Sequence, residues 1–176
     1  PTPIWPSRLS GTPPIFLAAS GGHLCAILTD KTVACWGNNS QYQSGSDNPA
    51  GSGVGPTRVL LSDGTTSLSD VTFVAVGESS SCAATTIGQV FCWGSNERGQ
   101  LGIDSGVSSA YAQLIADLGV VKSLTVGKAH ACSLNSSGEV RCWGDNQKGQ
   151  VGKLPPLRDD DGGVIDGGGD AAPSYP

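Results

Sequence analysis

The sequence predicts an all-β fold made of propeller-type blades, either a partial propeller or one completed by another copy. Three observations support this prediction: one segment occurs three times, apolar residues in each copy alternate with a period of two, and no segment has a sustained helical period. The copies begin 57 and then 50 residues apart, a length that fits four short strands per blade. We expect three repeats at approximately 5-45, 56-102 and 112-152 within a module spanning 1-152, followed by an acidic, Gly/Pro-rich tail or linker at 153-176.

The repeated segment runs from one cysteine to a glycine, and its three copies, 25–45, 82–102 and 132–152, align without a gap. Identity across three copies predicts that each forms the same structural unit. Eight columns are identical, namely the two cysteines, Val33/Val90/Val140, Trp36/Trp93/Trp143, Gly37/Gly94/Gly144, Asn39/Asn96/Asn146, Gln43/Gln100/Gln150 and Gly45/Gly102/Gly152.

Each copy has the pattern of a hairpin preceded by one further strand. In the third copy, the apolar alternation at 124–126 precedes a cysteine strand at 130–134, a turn at Ser137-Gly138 and a Trp-Gly strand at 140–144. The first two copies follow the same order. A fourth, more outlying strand per unit is predicted from 6–9, 56–60 and 112–115.

The segment 130–152 carries a family resemblance through its Cys132, Trp143-Gly144-Asp145-Asn146 and Gly149-Gln150-Val151-Gly152. It resembles the repeat of the regulator of chromosome condensation / beta-lactamase inhibitory protein II superfamily, here in a cysteine-paired variant, and the resemblance covers roughly residues 5–154. It implies a propeller, usually seven-bladed, in which strands from both chain ends complete one blade. Because three repeats leave two apolar end faces, we expect a processed or partial chain, or contact with another copy.

Three equally spaced cysteine pairs predict three disulfides. The turn lies near the midpoint of each pair, so the two cysteines face each other across a hairpin. Each bridge would contribute roughly 2 to 3 kcal/mol. Small buried thiols are one alternative and a zinc site is another, although the spacings of structural zinc sites are absent. Since disulfides persist in oxidising compartments, we expect an extracellular, secreted or cell-surface protein. The predicted pairs are Cys25 with Cys35, Cys82 with Cys92, and Cys132 with Cys142.

Two sequons agree with secretion, although such tripeptides also arise by chance. Asn38 follows the first Trp-Gly pair and Asn135 lies at the tip of the third hairpin, which makes both candidate acceptors of a glycan. No apolar run approaches the ~20 residues of a membrane-spanning helix. We therefore expect a glycoprotein without membrane insertion.

Composition excludes some partners. With 26 Gly, 11 Pro, 14% charged residues and a net charge of −5, the chain is loop-rich and weakly acidic, and its scattered basic residues form no phosphate-binding stripe, so we expect no nucleic-acid partner. In the tail, Asp159, Asp161 and Asp166 are candidate calcium ligands. Because they lack the alternation and the bidentate Glu of a calcium loop, a solvated linker is the preferred interpretation, and no cofactor is expected.

Catalysis finds little support in the residues. His23 and His130 share a column with Ser80, which is typical of a strand position that tolerates small polar groups rather than of a general base. The repeated tryptophans resemble those of the plant ultraviolet-B photoreceptor, but their fixed place beside Cys and Gly favours packing between blades. Nucleotide exchange, the activity that the resemblance implies, is not expected because of the paired cysteines, the few repeats and the acidic charge.

The sequence therefore predicts a non-catalytic extracellular module for structure and interaction. The preferred hypothesis is a building block of a filament, coat or surface appendage that assembles through its chain ends with other copies or neighbouring protein modules. The alternative is a secreted binding protein, an inhibitor or receptor ectodomain, that uses loops such as 44–55 and 103–111 on one propeller face.

Overall fold

A computed structural model describes residues 11–48, 54–103 and 106–152, together with the backbone of 157–158 and 164–165. The outlying strand predicted at 6–9 and the calcium candidates Asp159, Asp161 and Asp166 lie outside the described residues. Within the described part, no helix is long and apolar enough to span a membrane.

The regular elements are strands arranged in three antiparallel sheets, here called blades 1, 2 and 3, which confirms the predicted all-β, partial-propeller fold. Each sheet is a meander in which chain neighbours are also hydrogen-bonded neighbours. Blade 3 has three described strands, and a separate pair joins β12 (Leu157–Arg158) to β13 (Val164–Ile165). The blade strands are β1 (Pro14–Ser20), β2 (His23–Leu28), β3 (Val33–Gly37), β4 (Val54–Arg58), β5 (Val71–Val76), β6 (Ser80–Thr85), β7 (Val90–Gly94), β8 (Ser109–Ile115), β9 (Val121–Val126), β10 (His130–Asn135) and β11 (Val140–Gly144).

The hairpin turns of the three blades share one geometry. In each turn, the residue that stands six positions after the first cysteine of the repeat has a positive φ: 63° at Lys31, 81° at Gly88 and 87° at Gly138. A left-handed residue in this place is typical of a short antiparallel hairpin loop, and it favours glycine because no Cβ is strained. Blade 1 therefore has a lysine at the position where blades 2 and 3 have glycine, which adopts this φ without strain.

The outlying strands pair with the blade that precedes them in the chain. Arg58 of β4 is opposite Ala34 of β3, and Leu114 of β8 is opposite Phe91 of β7. The outer strand that opens one sequence repeat therefore completes the sheet built by the repeat before it. Sequence repeat and blade are out of phase by one strand.

The core lies between blades rather than within one sheet. At the junction of blades 1 and 2, Ile27 and Val33 pack with Val71, Val74 and Trp93, all of them buried. The equivalent cluster at the junction of blades 2 and 3 contains Val90, Leu101, Leu118, Val121, Leu124 and Ala131. Burial of each large side chain contributes about 1.5–3 kcal/mol, so adjacent blades stabilise one another.

Candidate functional site at the blade junctions and end faces

Each blade carries one disulfide across its hairpin, which confirms the sequence prediction. Cys25 is bonded to Cys35 in blade 1, Cys82 to Cys92 in blade 2, and Cys132 to Cys142 in blade 3. The paired cysteines lie directly opposite each other, with Cα–Cα distances of 4.1, 4.1 and 4.0 Å in blades 1, 2 and 3. No cysteine is free, so the alternatives of buried thiols and of a zinc site are wrong.

The bridges differ in how far they are covered. Cys25 and Cys35 of blade 1 are fully buried, and so is the bridge of blade 2. Cys132 and Cys142 of blade 3 are both half-buried, with no described blade beyond them. The disulfide of a blade is therefore fully buried only where another described blade follows.

Both junctions use the tryptophan and glutamine columns as a pair. The Trp93 indole Nε1 donates to the Gln43 main-chain oxygen at 3.1 Å, and Trp143 Nε1 donates to the Gln100 oxygen at 3.0 Å. The glycine after each tryptophan lies beside the same glutamine: a Cβ on Gly94 would be 3.3 Å from Gln43 Cα. The blade that follows thus forms a recess, and the glutamine of the preceding repeat enters it.

The glutamine is presented by a loop that holds its own shape. We call residues 39–45, 96–102 and 146–152 the Gln loops. In each, the asparagine Oδ1 accepts a main-chain N–H five residues on, at 3.0 Å from Ser44, 3.0 Å from Leu101 and 3.2 Å from Val151. The glutamine Oε1 accepts the N–H two residues before it at 2.8 Å in all three loops. The asparagine and glutamine side chains, which are identical in all three copies, therefore hold the loop in its shape. The main-chain oxygen of the glutamine then lies where the neighbouring blade can bind it.

A second main-chain contact joins each pair of blades near the hairpin turn. The Val71 N–H donates to the Lys31 oxygen at 3.0 Å, and the Val121 N–H donates to the Gly88 oxygen at 3.2 Å. The two junctions therefore repeat both a polar geometry and an apolar cluster.

His23 adds a polar contact that only the first junction has among the described blades. Its Nε2 lies 2.7 Å from the Ser81 Oγ, and that hydroxyl donates to the Gln43 oxygen at 3.2 Å. Which of the two atoms donates in the His23–Ser81 contact depends on the tautomer of the imidazole. At the second junction Ala131 takes the place of Ser81, so no equivalent hydroxyl is present.

The His23–Ser81 pair is suited to packing. Burial lowers the pKa of His23 to about 4, an effect partly opposed by a hydrogen bond with the Ser20 main chain. Ser81 is fully buried, so the pair lies inside the junction. His23 therefore lies as a neutral bridge between blades 1 and 2. That its column has no catalytic role stays a prediction.

The two ends of the stack expose residues whose column-mates are buried inside it. On the face of blade 3 turned away from blade 2, Val140 is 63% exposed, whereas Val33 and Val90 in the same column are 0% and 1% exposed. On the face of blade 1 turned away from blade 2, Leu17 is 55% exposed, whereas its column-mate Val74 is 1% exposed. We call these surfaces the blade 3 end face and the blade 1 end face.

The blade 1 end face is divided into a covered part and an open part. Ala26, Leu28 and Ala34 are fully buried, and Trp36 packs against them. Beside them lies a cavity of about 400 Å³, lined by residues 19–24, Trp36 and Gly37. We call this cavity the end pocket.

The remaining predicted site residues are distributed as follows. The amide Nδ2 of Asn135 donates to Glu139 Oε2 at 3.1 Å and to the Leu118 oxygen at 3.4 Å, and Asn135 is 7% exposed. Asn38 is half-buried, and its Oδ1 accepts from the Ser40 N–H at 3.0 Å. A glycan on Asn135 would displace its buried hydrogen bonds, and glycosylation of either asparagine stays a prediction. Within residues 11–48, 54–103 and 106–152, no cluster of three or more His, Cys, Asp or Glu could hold a metal ion.

The sequence interpretation missed the role of the glutamine column. Its identity in all three copies was visible, but the acting group is the main-chain oxygen, which every residue has. The end pocket was also missed, because residues 19–24 are small or apolar apart from His23 and, except at that position, have no identical residue in the third repeat. Packing of the tryptophans between blades was predicted and is confirmed by Trp93, which is fully buried at the junction of blades 1 and 2.

Comparison with known proteins identifies the repeat. The family model described as Regulator of chromosome condensation (RCC1) repeat matches residues 15–43, 71–100 and 121–150, and a second model with the same description matches 88–134. These segments cover more than half of the chain.

Solved structures with the same fold are much longer than this chain. Human WBSCR16 is 25% identical with a TM-score of 0.69, over 82% of this chain and 37% of that one. Prp20p from Saccharomyces cerevisiae, described with its binding to Gsp1p and histones, is 23% identical with a TM-score of 0.67, over 88% and 37%. Yeast RCC1 (Prp20) in complex with Kap60 is 23% identical with a TM-score of 0.66, over 92% and 37%. This chain thus spans little more than a third of each of them, and by its three matched repeats it belongs to the family of regulator of chromosome condensation (RCC1) repeat proteins.

Proposed function

We propose that this protein is a non-catalytic, extracellular interaction module, a building block of a filament, coat or surface appendage that associates with other copies through its two end faces. The observation that carries the proposal is the contrast in exposure along one column. Val140 is 63% exposed on the blade 3 end face, whereas Val33 and Val90 are buried against a following blade. An apolar position that is buried wherever a neighbour exists is a surface that fits a neighbour.

Two further observations support the proposal. Disulfides persist in oxidising compartments, so the three bridges support an extracellular location for the proposed assembly. The end faces are also different from each other, so association of one with the other is head-to-tail. Such heterologous contacts produce open filaments, or rings when the rotation closes. The partners of the yeast relatives are not assigned to this chain, since an identity of 23% supports the fold alone.

Light scattering on the purified, oxidised protein tests the proposal. We expect the average mass to rise with protein concentration and to exceed the monomer mass of 17.8 kDa. Val140→Arg, which places a charge on the blade 3 end face, should return the protein to the monomer. The matched control is Ile87→Arg, a change at an exposed hairpin turn of blade 2, and it should leave assembly unchanged.

A monomer at every concentration would overturn the proposal and favour capture of a different protein. Assembly that survives Val140→Arg would show that the contact lies elsewhere. Negative-stain microscopy separates a regular filament from a closed ring among the assembled forms.

A further inference from the structure

We propose that the end pocket of blade 1 receives the Gln loop 146–152 of a second copy, with the Gln150 backbone lying beside Trp36 and Gly37. This inference rests on the proposed function and names the contact through which the copies would join. One interface occurs twice inside the chain, blade 1 carries the recess equivalent to the one used there, and blade 3 carries a loop with the same internal hydrogen bonds.

The internal junctions define what such a pocket holds. The Gln43 oxygen lies 3.1 Å from Trp93 Nε1, and Gly94 leaves room for the Gln43 backbone. The second junction repeats this arrangement, since the Gln100 oxygen lies 3.0 Å from Trp143 Nε1 and a Cβ on Gly144 would be 3.2 Å from Gln100 Cα. In both cases the recess is formed by a tryptophan, the glycine that follows it and the turn between the first two strands of the blade.

The end pocket is the same recess on blade 1. It is bordered by Trp36 and Gly37, in the columns of Trp93 and Gly94, and by 19–24, which contain the turn between β1 and β2. Its volume of about 400 Å³ is large enough for several side chains of a loop. Blade 1 therefore presents, as an open cavity, the position that a Gln loop occupies at the two internal junctions.

The loop 146–152 is already in the shape that enters this recess. Val151 N–H donates to Asn146 Oδ1, Lys148 N–H donates to Gln150 Oε1 at 2.8 Å, and Gly152 N–H donates to the Gly149 oxygen at 3.0 Å. The equivalent glutamines of the other two Gln loops are 1% and 2% exposed in their recesses, whereas Gln150 is half-buried. Because the loop is preorganised, binding requires little ordering.

Blade 1 also differs from the other recesses in two positions. Pro14 takes the place of Val71 and Val121, so the contact near the hairpin turn loses its N–H donor. Leu24 takes the place of Ser81 and Ala131, which makes the wall of the pocket more apolar. Since Ala26 and Ala34 are covered, the proposed contact consists of the loop in its pocket and the exposed apolar residues of the two end faces, Val140 and Leu17, and it is smaller than a full blade-to-blade junction. It should therefore be weaker and reversible.

The first test uses two substitutions on the same strand. Ala19 lines the end pocket and its column-mates Val76 and Val126 pack at the internal junctions. Ala19→Arg should weaken self-association by about 10-fold or more. The control is Ile15→Lys, in the column of the exposed Thr72 and Lys122, and it should change self-association by less than about 2-fold.

The second test maps the contact. A benzoylphenylalanine photo-crosslinker at position 19, in a mixture of ¹⁵N-labelled and unlabelled full-length protein, should give mixed-isotope crosslinks to peptides within 143–152. If the unsubstituted protein assembles but Ala19→Arg has no effect and the crosslinks map elsewhere, the pocket assignment is wrong and the proposed function stands. If the protein is monomeric throughout, both are wrong.

Discussion

Blades 2 and 3 carry the same identical residues, yet those residues lie in different surroundings. In blade 2, Trp93, Asn96 and Gln100 are almost completely buried, because blade 1 covers one face of the sheet and blade 3 covers the other. In blade 3, Gln150 is half-buried, since no described blade follows it, and Trp143 is half-buried although it contacts blade 2. For the glutamine, the difference shows that its column describes an interface and not a position in a core. The energetic contribution of the glutamine depends on whether a following blade is present.

The largest expected effect is a difference in stability between substitutions of the tryptophans of blades 2 and 3. Trp93→Ala should lower the free energy of unfolding by about 3–5 kcal/mol, because it removes a fully buried ring and the donor to Gln43. Trp143→Ala should cost less, about 1–2 kcal/mol, since its ring is half-buried. Urea unfolding of the oxidised monomer measures both values, and equal losses would contradict the comparison.

The histidine column predicts a dependence on pH. The unfolded chain takes up a proton on His23 near pH 6.5, whereas the folded protein does so only near pH 4, because burial lowers the pKa. The contribution of neutral His23 is thus complete above pH 6.5 and decreases as the pH falls to 4, by about 3 kcal/mol at most. Urea midpoints between pH 4 and 7 measure this slope.

His23→Gln should flatten this slope. His130→Gln is the control, because His130 has the same column in blade 3 but is half-buried, and that variant should keep the slope. A slope that persists without His23 would assign the acid sensitivity to other groups.

The disulfides of blades 2 and 3 should differ in how readily a reductant reaches them. All three close loops of the same sequence separation, 10 residues, so replacing either Cys82 and Cys92 or Cys132 and Cys142 by alanine should cost about 2–3 kcal/mol. Reduction of the native protein should differ, because Cys142 of blade 3 is half-buried whereas the blade 2 bridge is fully buried. We expect mild dithiothreitol with alkylation to label Cys132 and Cys142 first. Simultaneous labelling of all three pairs would argue against independent accessibility.

The smallest effect concerns the hairpin turn of blade 1. Lys31 has a φ of 63° where blades 2 and 3 have glycine. Lys31→Gly should therefore raise the free energy of unfolding by about 0.5–1 kcal/mol. Lys122→Gly, in the exposed face of β9, should instead lower it, because glycine weakens a strand interior. If both substitutions change the free energy of unfolding in the same direction, the effect of Lys31→Gly does not come from relief of strain at Lys31.

The sequence predicted what each repeat contains within itself. Strands, hairpin turns and the three disulfides depend on local spacing, such as the interval from Cys25 to Cys35, and that spacing is visible three times. Contacts between repeats were harder to predict. The Gln43 oxygen is a main-chain group without a side-chain signature, and the hydroxyl of Ser81 that links it to His23 occurs in one repeat only.

Exposure was the other property that sequence could not supply. Val90 and Val140 are identical residues in identical positions, and their burial differs because blade 3 covers one and no described blade covers the other. A single-sequence pattern reports which side of a strand is apolar, but it does not report what lies against that side. The end pocket followed from the structure for the same reason.

The order of strands along the chain also has a mechanical consequence. Blades 1 and 2 each consist of four consecutive strands, so the chain leaves one sheet after its last strand and then enters the next sheet. Tension applied along the polypeptide can therefore separate these two blades without breaking the ladder bonds of either sheet. The load is carried by the contacts between the blades, namely the buried apolar cluster and the bond from the Val71 N–H to the Lys31 oxygen.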